Sequence, residues 1–480
     1  MTRERLAFGH GSHRPVLPAR AMAARAMAAD AAREPQPVKL LHIDTWDWAW
    51  GGLLIFTVLL FLRPQDHIPV LKNSHIADLA ALVGLAAMAG INMSRGRPLT
   101  RMTPELVGVL LFGLIIVLTI PTSVWAGGAF AAFTNFYIPL ALIYLLMTNA
   151  LTSPKRIERI VWVIVLAFGY MSVRVIFNYL RGIGLVEGGR ASGPVGGFFQ
   201  NPNDLALNIA AFLPFVFMYV KRPGPAARRL LCVAISLLML TALVFTKSRG
   251  GTLGLVAMLV TFVIVARMLT PALILSTVVA GMLVLPVLPD HFWARMSSIT
   301  DARKDETGSR AERRMLLEQG VQVFLEKPLT GVGAAQFKHY WHPGLNEKWK
   351  EVHNVLLQVA TEMGIFGLII FSYLIYRGFK AAFWTRRQFA WMHRRRRGAP
   401  AAAPEDGLND QERSFLEAHA TAMVACMVGW FVCAMFASVA LNWTFYYLLA
   451  LSAASRDVIR ARADAYARAK AAALRETAAA

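Results

Sequence analysis

The sequence predicts an all-α polytopic membrane protein of about 12 transmembrane helices, with one long, partly helical outer loop between spans 9 and 10. Three observations predict it. Of the 480 residues, 56% are hydrophobic and only 16% charged, too few to cover an ordinary soluble surface. Apolar runs of roughly 15 to 25 residues recur along almost the whole chain, and about 20 residues at a 1.5 Å rise cross the hydrocarbon. Lys and Arg gather in alternate loops, the pattern of loops retained in the cytoplasm. The formal charge of +21 therefore reads as sidedness, with membrane lipids rather than nucleic acid as the partner.

In chain order, residues 1–45 form a basic tail rich in Ala and Pro, expected to be disordered and cytoplasmic; the first apolar run begins too late for a secretory signal. Spans one to nine occupy 46–288, at 48–62, 76–91, 106–120, 130–147, 161–179, 205–220, 230–245, 251–266 and 272–288. The long outer loop covers 289–353. Spans ten to twelve fall within 354–458, at 355–379, 418–440 and 443–458, around a basic cytoplasmic loop at 380–417, and 459–480 is a cytoplasmic tail. Arg95, Arg97 and Arg101 mark the first inner loop; Lys155, Arg156 and Arg159 the next; then Lys221, Arg222, Arg228 and Arg229. Roughly two thirds of the 50 basic residues lie on the side of the two termini, which fixes the expected orientation.

The long loop has its own helix signal. Ser309 with Glu312 has the spacing of a capping box, and Leu317, Val321, Phe324 and Leu325 recur at helical spacing until Pro328 stops the run. Gly331 and Gly333 then suit a tight turn, and Phe337, Tyr340, Trp341 and Trp349 offer aromatic surface. Cys426 and Cys433 stand seven apart on one helix, where a bridge is excluded, and Cys232 lies in another apolar run, so neither a disulfide framework nor a metal site is expected.

Basic residues on the outer side run against the charge bias and need a reason. The segment RASGPVGGFFQNPND places Arg190 before a Gly-rich stretch, and Asn201 or Asn203 with Pro202 starts span six, whose positive dipole end faces outward. Arg190 could hold an anion there, or snorkel to lipid phosphates. In TKSRGG, a turn too short to leave the interface, Lys247 and Arg249 could grip a lipid-linked phosphate or anchor two helices. Gly250 and Gly251 would leave room for a bulky phosphate beside Arg249.

In the long loop, Arg310, Arg313 and Arg314 occupy the first turn of the helix, against its dipole, a cost that an anionic ligand would offset. A solvated face is the alternative, Arg314 having Glu318 four residues on. His353 and Asn354 open span ten; an imidazole can accept a proton at neutral pH, and an interfacial histidine with satisfied bonds is the alternative. Glu351 and Asp204 are reserve bases. Arg174, within span five, pairs, functions or snorkels. No Asp-x-Asp pair, Walker loop or dinucleotide fingerprint stands in a suitable context, which points to a donor already activated.

With these residues in view, the chain resembles the O-antigen ligase and polymerase superfamily of bacterial membrane glycosyltransferases. The resemblance rests on RASGPVGGFFQNPNDLA, TKSRGG, GSRAERRMLLEQGVQVFLEKPLTGVGAAQF and HNVLLQVATEMGIFGL, over 190–371, with RPQ at 63–65 also similar. It implies an inverting, metal-independent transferase without cofactor in the bacterial inner membrane, its long loop periplasmic. Such an enzyme takes a glycan from undecaprenyl pyrophosphate to a lipid A core sugar, to another lipid-linked repeat in polymerases, or to a protein. Matched motif to motif, Arg190 and Arg249 would bind the donor pyrophosphate, Arg310 and Lys247 would assist, and His353 would activate the acceptor hydroxyl. Arg313, Arg314, Arg174, Asn203, Asn354 and Glu351 are secondary candidates. Where relatives often carry an aromatic a turn after Arg310, this chain has Leu316 or Leu317. A transporter or flippase is the reading from a different class, and would call for polar or broken helices near the midplane.

Overall fold

The computed structural model describes residues 47–66, 68, 71, 75–186, 189–194, 199–268, 270, 293, 297, 309–340, 350–396 and 407–479, without the side chains of 309, 310, 393–396, 477 and 479. Among them the helices are α1 (Trp48–Leu62), α2 (Ile76–Ser94), α3 (Pro104–Thr119), α4 (Ala126–Ala132), α5 (Ile138–Ala150), α6 (Pro154–Leu180), α7 (Pro202–Lys221), α8 (Ala226–Thr246), α9 (Arg249–Val265), α10 (Ser309–Glu326), α11 (Val355–Arg396), α12 (Asp410–Ala434) and α13 (Trp443–Ala479). Seven helical segments are long and apolar enough to cross a membrane, and α1, α3 and α9 are shorter apolar helices. The architecture is that of an all-α polytopic membrane protein, relieved by one two-residue hairpin, β1 (Leu185–Val186) with β2 (Arg190–Ala191). Expected span nine, 272–288, and the tail 1–45 lie outside the described residues.

Local chemistry sets the helix starts. Asp47, Thr103, Ser153, Asn201 and Ser248 each accept a backbone N–H of the first turn, and Pro104, Pro154 and Pro202 stand where no intrahelical donor is needed. Asn409 and Glu412 form a reciprocal capping box, so α12 begins eight residues before the expected 418 and ends at Ala434, short of 440. The loop expected over 380–417 is helical at both ends, because α11 runs on to Arg396, and the tail expected from 459 continues α13 to Ala479. Between α4 and α5 a π-helical turn, Phe133–Tyr137, absorbs an extra residue just before Pro139, whose missing N–H interrupts the α ladder.

Helix α11 breaks at Gly364, which adopts φ 64°, ψ −166°, a conformation open to glycine. A Cβ there would come within 2.3 Å of the Leu329 carbonyl oxygen. The break frees two carbonyls and an N–H that the segment after α10 satisfies: Val332 N–H donates to Thr361 O at 2.9 Å and Gly333 N–H to Glu362 O at 2.8 Å, while Pro328 O accepts from Ile365 N–H at 2.7 Å. The buried Glu362 carboxylate accepts the Ala335 N–H at 2.9 Å.

The core is aromatic. Phe61 meets Phe168, Phe212 and Tyr447 at centroid distances of 5.8, 5.7 and 5.3 Å, joining α1, α6, α7 and α13. Ionisable groups within the helices exceed the single Arg174 that the sequence singled out. Glu105 on α3 is fully buried and takes two hydrogen bonds from Arg456 of α13, at 2.6 and 3.0 Å, and one from Arg377 of α11 at 2.8 Å. Such groups stay charged in an apolar bundle only because they are paired and hydrogen-bonded.

Candidate functional site

One end of the bundle collects most of the candidates. Helix α8 closes on Lys247, at φ 50°, and α9 opens on Arg249 with Ser248 as its N-cap, so only two residues separate two antiparallel helices. Into this turn reaches Arg190 from β2: its Nε donates to Thr246 O at 3.0 Å and its Nη2 to Asn203 Oδ1 at 2.6 Å. Asn203, in the first turn of α7, also accepts from Ser248 Oγ at 2.9 Å. One amide oxygen thus binds hairpin, α7 and α9 together. Arg190 and Lys247 stand at this junction, where Arg249 opens α9, beside the N-termini of α7 and α9, whose dipoles add positive potential. Lys247 is only 6% exposed, its Nζ 5.9 Å from the Tyr179 ring centroid.

The glycines after Arg249 do not hold open space. A Cβ on Gly251 would come within 2.4 Å of Ala206 Cβ, and one on Gly250 within 3.0 Å of Phe436 Cβ. Their smallness brings α9 against α7 and α12 instead of making room for a phosphate.

A second cluster meets the first at the turn that follows α12. His353, at φ 56°, donates its backbone N–H to Ser438 Oγ at 3.0 Å, and the Ser438 hydroxyl hydrogen-bonds the Glu351 carboxylate. Asn354 caps α11, accepting from Leu356 N–H and Leu357 N–H at 3.1 and 3.0 Å, and its Nδ2 donates to Met435 O at 3.3 Å. The same turn supplies Phe436 against Gly250, and Cys433 Sγ lies 3.5 Å from Gly250 O. Residues 433–438 therefore contact both Gly250, the neighbour of Arg249, and the backbone of His353 with the side chain of Asn354.

The electrostatics of the second cluster follow from its neighbours. Burial, then the Arg313 and Lys350 cations, push the His353 imidazole down to about 4, with Glu312 opposing. At neutral pH the ring is uncharged and has a lone pair to accept a proton. Glu351 is pushed above the usual carboxylate range by desolvation, against the pull of Lys338 and the Ser438 hydrogen bond. It interacts electrostatically with Asp204, one residue beyond Asn203, which links the imidazole cluster to the guanidinium cluster.

The remaining candidates divide. Arg313 faces His353 electrostatically, and its neighbour Glu312 pairs with Lys350. Arg314 forms an exposed pair with Glu318 at 2.9 Å on the outside of α10. Arg310 lies in α10, but its side chain is outside the described residues, as is Trp341. Arg174, half-buried on α6, stays outside the contacts that join the others, its Nε without a hydrogen-bond partner among the described residues. Sequence reasoning missed Ser248 and Ser438. Ser248 carried a signal as the N-cap residue of SRGG, whereas Ser438 was hidden in an apolar run taken as helix. Two sizeable cavities, described by their linings at 47–156 and 218–421, contain none of these candidates.

Bundle and clusters define a polytopic membrane protein with guanidinium groups and a neutral imidazole gathered at one end. Residues 234–372, which run from within α8 through Arg249, α10 and His353 into α11, match the family model described as O-antigen ligase. Through this region the chain is similar to the O-antigen ligase family. No curated protein matches it.

Proposed function

We propose that the chain transfers a glycan from undecaprenyl pyrophosphate to an acceptor hydroxyl, a lipid A core sugar, at the periplasmic face of the bacterial inner membrane. The observation that carries this reading is that the 433–438 stretch contacts both Gly250, next to Arg249, and the His353 backbone, with Arg190 tied to the same α8–α9 junction. Arg190, Arg249 and Lys247 hold the diphosphate. The acceptor oxygen attacks the anomeric carbon from the face opposite the leaving group, the bond from that carbon to the diphosphate oxygen breaks, and His353 takes the hydroxyl proton, which inverts the anomeric centre. Negative charge grows on the diphosphate as it leaves, and fixed guanidinium donors stabilise it. Charge-assisted hydrogen bonds contribute about 1.5 to 3 kcal/mol each, so two or three suffice to stand in for a divalent ion.

Deleting the gene in its host and examining the surface glycoconjugates tests the reading. Unligated long glycans on the lipid carrier are the expected outcome, restored by the wild-type chain and not by Arg190→Ala, Arg249→Ala or His353→Ala. Loss of one donor from such a site lowers turnover by about 100- to 1,000-fold. Accumulated single repeats would mean a polymerase, and intact lipopolysaccharide with an unglycosylated protein would mean a protein acceptor.

A further inference from the structure

Four helices carry the candidate site at one end and a basic cavity at the other. α7 and α9 lead from Asn203 and Arg249 to C-terminal ends at Lys221 and Val265, and α12 runs the opposite way from Asp410 to Ala434. With α11 beyond residue 380 they enclose a cavity of about 720 Å³ whose polar rim is Lys221, Arg222, Arg267, Arg386 and Glu417. Two of its cations are already placed by backbone: Lys221 Nζ donates to Ala266 O at 2.8 Å and Arg386 Nη2 to Val265 O at 3.1 Å. These bonds cap the open carbonyls of α9 and leave most N–H donors of each side chain unspent.

The acids near the cavity are fewer than the cations. Arg222 pairs with Glu158, and Glu417 acts on Lys221. Arg267 and Arg386 stand close enough to repel each other, and neither has an acidic partner among the described residues. Arg267 is exposed and holds φ 52°, a conformation that only glycine adopts without cost. A like-charge pair held at the mouth of a cavity is offset by an anion between the two guanidinium planes. The inner wall is apolar, with Met218, Phe262 and Phe389. Outside the mouth, α9 exposes Leu253, Val256, Val260 and Ile264 at helical spacing, an apolar strip leading to the cavity.

We propose that this cavity binds the phosphate group of an anionic phospholipid between Arg267 and Arg386, with the acyl chains along the exposed face of α9. In the orientation proposed above it lies at the cytoplasmic leaflet, where basic pockets between helices meet anionic headgroups. The site is separate from the donor site, so it survives or fails independently of the transferase reading.

The full chain purified in detergent tests it, by native mass spectrometry against phosphatidylglycerol, cardiolipin and phosphatidylcholine, with inorganic phosphate and pyrophosphate as soluble competitors. The wild type should retain the anionic lipids over phosphatidylcholine; Arg267→Gln, on an exposed side chain, should weaken retention about fivefold and R267Q/R386Q by tenfold or more. Millimolar inorganic phosphate should leave the lipid bound. Displacement of the lipid by free phosphate would overturn the lipid as the source of the phosphate. Equal retention by wild type and both variants, or equal retention of phosphatidylcholine, would overturn the site itself.

Discussion

His353 combines a left-handed backbone with burial and a cationic neighbourhood that keep its ring neutral. With a folded value near 4 against 6.5 for the free side chain, the unfolded chain takes up a proton between those limits that the folded chain does not. Stability from this residue is therefore complete above pH 6.5 and declines as the pH falls toward 4. If the ring is the base, kcat/KM should stay level from pH 8 to 6 and lose activity only toward about pH 4. A bound diphosphate favours the protonated ring, so the acid limb of kcat should sit at higher pH than that of kcat/KM. A kcat/KM limb centred at 6.5 would remove His353 from the role. The charged candidates could be singled out in the sequence because, in the proposed orientation, an arginine in an outer loop contradicts the prevailing charge bias. Ser438 could not be, since a neutral hydroxyl in an apolar run looks the same whether it orients a partner or faces lipid.

Among the elements, the broken helix α11 does most to position the site. Gly364 lets the 328–335 segment hydrogen-bond into the gap, which fixes that segment against α11. Gly364→Ala should cost about 2 kcal/mol or more, from its backbone conformation and the clash with Leu329 O. Thermal unfolding in detergent measures this; an unchanged midpoint would show the break is not required. Apolar length and caps made most helices readable, and α10 occupies the stretch between Ser309 and Pro328. The break was not readable, because the glycine sits in MGIFGL, an apolar context that also suits an unbroken span. The extension of α11 to Arg396 escaped for the opposite reason: its basic residues look like a loop to a hydropathy argument, yet Arg and Lys are good helix formers.

Across the whole molecule, polar pairing adds to close packing in setting which helices stay neighbours, since lipid solvates apolar faces as well as another helix does. Glu105 of α3 holds α11 to α13 through Arg377, midway along α11, and Arg456. Glu105→Ala leaves Arg377 without this acid and Arg456 with only Asp457, and should cost about 3 kcal/mol or more, whereas E105L/R456M should recover part of that loss. Equal midpoints for the two variants would show that the pairing is not what stabilises the bundle. The central claim is that the two clusters in contact with the 433–438 turn divide one reaction, Arg190 and Arg249 holding the leaving diphosphate and His353 accepting the proton. The most direct measurement is single-turnover transfer and donor binding on protein reconstituted with an undecaprenyl-pyrophosphate-linked glycan. His353→Ala should bind donor as the wild type does and fail to transfer, while Arg249→Ala should lose both affinity and rate. Wild-type transfer by both variants would contradict the account.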